Sequence, residues 1–192
     1  MTELLLLFVG SALVNNFLLT RFLGICPFLG VTRELKAGVS MGIAVTSVMV
    51  ASVLVLWPLY NLALAPLGLG FLQNMLFILV IAALVQFLEM VIKRAFPSLY
   101  TAFGIYLPLI TTNCAILGLA LLMVGNEYTF LQSLVFAVGS GAGVTLAMGM
   151  MAAIREQLEF ADVPQSLQGP GIALITAGIM ALSFMGFAGL GS

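Results

Sequence analysis

Apolar sequence fills almost the whole of this chain, in six stretches at residues 4–30, 38–57, 71–92, 99–124, 130–154 and 171–190. A helix rises about 1.5 Å per residue, so about 20 apolar residues cross the hydrocarbon core of a bilayer. The second, third, fifth and sixth stretches have that length, and the first and fourth exceed it. Only 7% of the 192 residues are charged, against about 25% in ordinary soluble domains. So few charges cannot cover a body of this size against water, and its surface must face lipid. The chain is expected to be an all-α integral membrane protein, one transmembrane domain of six helices. A net charge of −1 gives no reason to expect nucleic acid. There is no histidine, hence no imidazole metal ligand and no histidine proton relay. The N-terminus lacks the basic region and cleavage site of a signal peptide, its one early charge being Glu3, and reads as a retained first helix.

The breaks between stretches are short and their charge is one-sided. With six crossings, the first, third and fifth loops share a side. That side receives Arg33, Lys36, Lys93, Arg94 and Arg155, five of the six basic residues, and the opposite loops receive none. The positive-inside rule makes the basic side cytoplasmic and places both termini outside, in the periplasm of a bacterial inner membrane. The loop at residues 155–170 is the longest. It reads either as a dock for a cytoplasmic subunit or as an ordinary solvated loop.

The chain divides near Phe96 into halves of three helices, approximately residues 1–96 and 97–192. Three is odd, so a repeat between them must be inverted across the membrane, an arrangement that transport folds use with the working site at the repeat interface. Cys26-Pro-Phe-Leu-Gly30 and Cys114-Ala-Ile-Leu-Gly118 share C-x-x-L-G, 88 residues apart, and the same offset aligns Leu19 with Leu107. These are the only cysteines, one in each overlong stretch. Each lies near a helix disturbance, Gly24 with Pro27 in one case and Pro108 in the other. Proline removes a backbone donor, and broken backbone is tolerated in lipid only where it is buried or lines a cavity. An unbroken first helix would carry Cys26 about 33 Å from Leu4, and an unbroken fourth would carry Cys114 about 22 Å from Leu99. Helices 1 and 4 are therefore expected to be broken or re-entrant, bringing both thiols near the bilayer centre.

Two buried cysteines have several uses. They can be small apolar core residues, or they can form a disulfide. They can also be metal ligands, since a thiolate in hydrocarbon needs a compensating charge and thiolates are the usual ligands of iron–sulfur clusters, normally four per cluster. With two cysteines and no histidine, Cys26 and Cys114 would supply half a site, the rest coming from a partner or a second copy.

Val14-Asn-Asn-Phe17, Phe22-Leu-Gly-Ile-Cys-Pro-Phe28 and Leu107-Pro-Leu-Ile-Thr-Thr-Asn-Cys-Ala115 resemble a family of membrane subunits. It comprises the A and E subunits of the Rnf complex and the D and E subunits of the sodium-pumping NADH:quinone reductase. Gln86-Phe-Leu-Glu89, Ala153-Ile-Arg-Glu156, Asp162-Val-Pro164 and Ala173-Leu-Ile-Thr-Ala-Gly178 extend the resemblance from end to end. The Asn-Asn-Phe and Cys-Pro-Phe patterns are most similar to the Rnf A group. The resemblance implies a six-helix inverted-repeat subunit paired with a homologous E-type subunit. The pair would share an intramembrane 2Fe–2S cluster, with Cys26 and Cys114 as this chain's ligands. It further implies a redox-driven ion pump between NADH and ferredoxin, coupled to Na⁺ or H⁺, assembled with the Rnf B, C, D and G subunits. FMN, riboflavin and the other iron–sulfur clusters would sit on those subunits, and this chain would hold no complete active site and no catalytic residue.

The remaining polar residues admit two roles each. Arg21 snorkels to the interface or tunes a cluster by its charge. Glu89 pairs with Lys93 at i,i+4 or, with Gln86, lines an ion path. Thr111, Thr112 and Asn113, like Asn15, Asn16 and Thr20, precede a cysteine; they either hydrogen-bond cluster sulfurs or satisfy a broken helix. Gly139 and Gly143 form G-x-x-x-G inside a membrane stretch, which reads as close helix packing. A small inverted-repeat transporter or channel with structural cysteines is the alternative from another class, and an assembly subunit is a third reading.

Overall fold

The computed structural model describes residues 2–64, 66, 70–95, 107–161, 164 and 168–188, and all regular structure among them is helical. The expected break between halves at Phe96, residues 99–106 of the fourth stretch, and Asp162 lie outside the described residues. Helix α1 is Thr2–Val9, continued by one wide π turn over Gly10–Val14. It is followed by α2, Ile25–Val31, and α3, Leu35–Leu59. Then come α4, Gln73–Ala95, α5, Leu107–Thr111, and α6, Cys114–Gly125. The last two are α7, Phe130–Leu158, and α8, Pro170–Ala188.

Four helices are long and apolar enough to cross a membrane, within α3, α4, α7 and α8. The first and fourth stretches instead supply shorter apolar helices, Thr2–Val14 and Leu109–Gly125, the second with a break inside it. The outward faces are apolar: on α4, Met75, Leu79, Phe87 and Met90 are all more than half exposed. Contiguous apolar surface of that kind is unfavourable in water and is what a lipid-facing helix presents.

The centre of the molecule is the antiparallel pair α3 and α7. Met41, Val45 and Met49 meet Val144, Ala147, Met148 and Met151 in one buried core, none more than 1% exposed. Close approach comes from two reciprocal notches. A Cβ on Gly42 would lie 2.7 Å from the Thr145 Cα, and a Cβ on Gly141 would lie 2.5 Å from the Thr46 Cγ2. Each threonine fills the space left by the other helix's glycine. Thr46 Oγ1 and Thr145 Oγ1 meet at 3.4 Å, while each also donates to the carbonyl of the glycine one turn back, on Gly42 at 2.8 Å and on Gly141 at 2.9 Å. Exchanging the two helices maps one notch onto the other at an offset of 99 residues.

The G-x-x-x-G of α7 faces α1. A Cβ on Gly139 would meet Ser11 Oγ and lie 2.9 Å from Phe8 O, and one on Gly143 would lie 2.5 Å from Ala12 O. Close packing is thus what these glycines provide.

Prolines do not make the breaks. Pro27 lies in the first turn of α2, where the first four N–H groups of a helix lack intrahelical partners and the missing donor costs little. Pro108 precedes the fourth-stretch break by four residues. The interruptions fall at residues 15–24 and 112–113.

Candidate functional site

The first break is held open by polar groups. Asn16 is fully buried. Its Nδ2 donates to Ala12 O at 3.2 Å and, across to α7, to Gly143 O at 2.8 Å. Its Oδ1 accepts from the Leu18 N–H at 3.0 Å and the Leu19 N–H at 3.4 Å. Thr20 Oγ1 donates to Asn16 O at 2.6 Å. Of the two roles open to these residues, satisfying broken backbone is the one the contacts describe. The segment then turns back through two residues in the left-handed region, Phe22 at φ 55° and Gly24 at φ 89°. Only glycine adopts that conformation freely, so Phe22 holds a strained turn in place.

The second break is shorter. Asn113 caps α6, its Oδ1 accepting from the Ala115 N–H at 3.0 Å. Its Nδ2 is buried without a hydrogen-bond partner. Thr111 and Thr112 are both engaged by other groups.

The two breaks meet. The backbone N–H of Gly24 donates to Cys114 Sγ at 2.9 Å. A Cβ on Gly24 would lie 3.2 Å from Asn113 Oδ1 and 3.4 Å from Ala115 Cβ. Gly24 is the N-cap of α2, two residues before Cys26, and Cys114 is the first residue of α6. The segments carrying both cysteines are therefore in contact, 90 residues apart along the chain. Both thiols are free and both are exposed on this chain. Neither thiol lies in the packed core of this chain by itself.

The Gly24 N–H fixes where the Cys114 sulfur sits relative to the first break. Among the described residues no three Cys, Asp or Glu side chains gather as a ligand set. Two thiols could supply at most two of the four ligands that an iron–sulfur centre normally takes.

Arg21 is exposed within the first break, just before Phe22, whereas Gln86, exposed, and Glu89, half-buried, lie on α4. Lys93 is engaged. A cavity of about 920 Å³ runs along α3 and α7 between residues such as Ile43, Thr46, Val138 and Thr145. No cysteine lines it, and its walls are almost wholly apolar. Two residues that bind the turns behind the cysteine helices, Trp57 and Arg155, carry no signal of that role in the sequence beyond Arg155 lying in Ala153-Ile-Arg-Glu156.

Comparisons with known proteins agree with this picture. A family model described as "Rnf-Nqr subunit, membrane protein" matches residues 4–191. The chain is 55% identical over 190 residues to the A subunit of the ion-translocating oxidoreductase complex of Serratia proteamaculans, covering 99% of this chain and 98% of that protein. The A subunits of the same-named complex from Cronobacter sakazakii and Yersinia enterocolitica are each 53% identical over the same shares.

Proposed function

The chain belongs to the Rnf-Nqr family of membrane subunits, and on that premise we propose that it supplies Cys26 and Cys114 to a 2Fe–2S cluster shared with a homologous subunit inside the membrane. It is a membrane subunit of an ion-translocating oxidoreductase complex of the Rnf type. In our reading the complex joins NADH and ferredoxin chemistry to Na⁺ or H⁺ movement across the bacterial inner membrane. The observation that carries the reading is the contact between the two breaks: Gly24 N–H on Cys114 Sγ, with both thiols turned outward. A 2Fe–2S centre supplies a one-electron carrier. This chain's part is to hold two thiolates at the meeting of two broken helices. It supports the Cys114 sulfur with an N–H donor and presents both thiols outward on a chain whose surface is apolar.

Two free cysteines need two more ligands, and a homologous partner of the E type, presenting its own pair across a pseudo-symmetric interface, would complete the set. The inverted-repeat reading fits the same scheme. The reciprocal Gly–Thr notches support it, because an in-plane two-fold axis between α3 and α7 would exchange them. The offset between halves grows from 88 residues at the cysteines to 99 at the notches. Part of that growth is α6, twelve residues long against seven for α2.

The test is to purify the chain with its partner and measure iron, acid-labile sulfide and the EPR spectrum after reduction. About two iron atoms per pair and a 2Fe–2S signal are expected. Replacing either Cys26 or Cys114 with serine should remove the signal and electron transfer together. A fully assembled, active complex without iron at this interface would overturn the proposal.

A further inference from the structure

Neither cysteine-bearing helix is long enough to fix its own direction. α2 has seven residues and α6 has twelve, and isolated helices shorter than about 12–15 residues are marginal. The near ends meet through the Gly24 N–H on Cys114 Sγ, and the aim of each thiol depends also on what grips the far end of its helix.

Behind α2 the grip is ionic. Arg155 Nη1, in the last turn of α7, donates to Leu29 O at 2.9 Å and to Thr32 Oγ1 at 3.2 Å. Thr32 is fully buried and its hydroxyl donates to Phe28 O. The next residue, Glu156, accepts through Oε1 from the N–H of Leu35, the first residue of α3, at 2.9 Å. The guanidinium sits on the carbonyl end of one helix and the carboxylate on the amide end of the next, the sign each helix dipole favours.

Behind α6 the grip is neutral. Trp57 Nε1, near the end of α3, donates to Tyr128 O at 3.1 Å, in the turn between α6 and α7. Its ring packs edge-on against Phe130, the first residue of α7, at 5.3 Å. Trp57 and Glu156 stand 99 residues apart, the same offset as the Gly–Thr notches. The ties are crossed: α7 holds the turn behind the Cys26 helix, and α3 holds the turn behind the Cys114 helix.

We propose that Arg155 with Glu156, and Trp57, are positioning residues for Cys26 and Cys114 respectively, each long helix aiming the thiol of the other half. The consequence for a shared cluster rests on the reading of the cysteines as ligands, but the aiming itself does not. Cys26 is three residues from its tie, about 4.5 Å along the axis, and Cys114 is about 16 Å from the end of its helix. The ionic tie therefore acts more strongly on its thiol than the tryptophan does.

The experiment uses the full chain in lipid nanodiscs without iron. Cys114→Ser leaves Cys26 as the only thiol, and Cys26→Ser leaves Cys114. Maleimide labelling rates are then read for each. Arg155→Gln should change the Cys26 rate by about tenfold, the population change expected on losing a charge-assisted hydrogen bond, with a clearly smaller change at Cys114, passed on through its contact with Gly24. Arg155→Lys, which keeps the charge and one donor to Leu29 O, should restore most of the difference. Trp57→Phe should move Cys114 and spare Cys26. If Arg155→Gln does not accumulate, Glu156→Ala, which removes only the tie to Leu35, is read in the same way. Equal changes at both cysteines would mean general loosening and overturn the proposal, as would no change at either. In the assembled complex, Arg155→Gln should also shift the reduced EPR line shape while iron content stays full, and Arg155→Lys should return most of that shift. Iron content tests the ligand reading and thiol rates test the aiming, so either can fail alone.

Discussion

Asn16 uses its side chain on both faces of a break in the membrane, two donor contacts and two acceptor contacts, with no surface left to solvent. Removing it by Asn16→Ala takes a second donor from the Gly143 carbonyl, which keeps its helical bond, and strands the amides of Leu18 and Leu19 where little water can reach them. Each buried unsatisfied group costs about 1–3 kcal/mol, and partial relaxation leaves an expected loss of about 2–4 kcal/mol. Thermal unfolding of the purified chain in nanodiscs measures it, and a loss below about 0.5 kcal/mol would show that the break closes on itself. The sequence marked both cysteines as special through their number and their placement in the overlong stretches. It left Asn16 with two open roles, because the partner that decides between them, Gly143, lies 127 residues away. The role of Arg155 was hidden for the same reason: its acceptor at Leu29 is 126 residues distant.

At the scale of elements, stretch length announced which helices are interrupted, since an apolar run longer than a bilayer needs an explanation. Proline misplaced the interruptions, because its missing N–H is harmless in a first turn and Pro27 occupies one. The α3–α7 pairing was not legible, as glycines and threonines spaced four apart are common in membrane helices and only the fold shows which glycine faces which threonine. The notches are reciprocal but not equivalent. A Cβ on Gly42 meets the Thr145 backbone Cα at 2.7 Å, whereas the three nearest atoms to a Cβ on Gly141 all belong to the Thr46 side chain. Gly42→Ala must push two helices apart, and overpacking of this kind costs about 1–3 kcal/mol. Gly141→Ala should cost less, and Thr46→Ala in the same chain should recover part of the loss. Thr145→Ala should recover little of the Gly42→Ala loss, because the backbone obstacle stays. Unfolding measurements on the four variants decide this, and equal rescue at both notches would contradict the packing described.

At the scale of the whole molecule, the two ends differ in chemistry. One end gathers Arg33, Arg155 and Glu159 around a polar cleft, and Lys93 and Arg94 close α4. The opposite end of the α3–α7 pair has Trp57, Tyr60, Asn61, Glu127 and Tyr128 around another cleft, with no base. Aromatic residues with polar edges suit a headgroup region, and basic loops are retained on the cytoplasmic side. The antiparallel run of α3 and α7 puts Lys36 at the basic end and Glu127 at the aromatic end. With Cys26 and Cys114 replaced by serine, a single cysteine at either place reports its side. In intact cells an impermeant maleimide should label Glu127→Cys at once and Lys36→Cys only after the membrane is opened. The reverse pattern would place the basic end outside and set the positive-inside reading aside. Equal labelling in intact cells would mean that the chain inserts both ways. That outcome would be hard to reconcile with a subunit that must meet the rest of a complex in one fixed orientation.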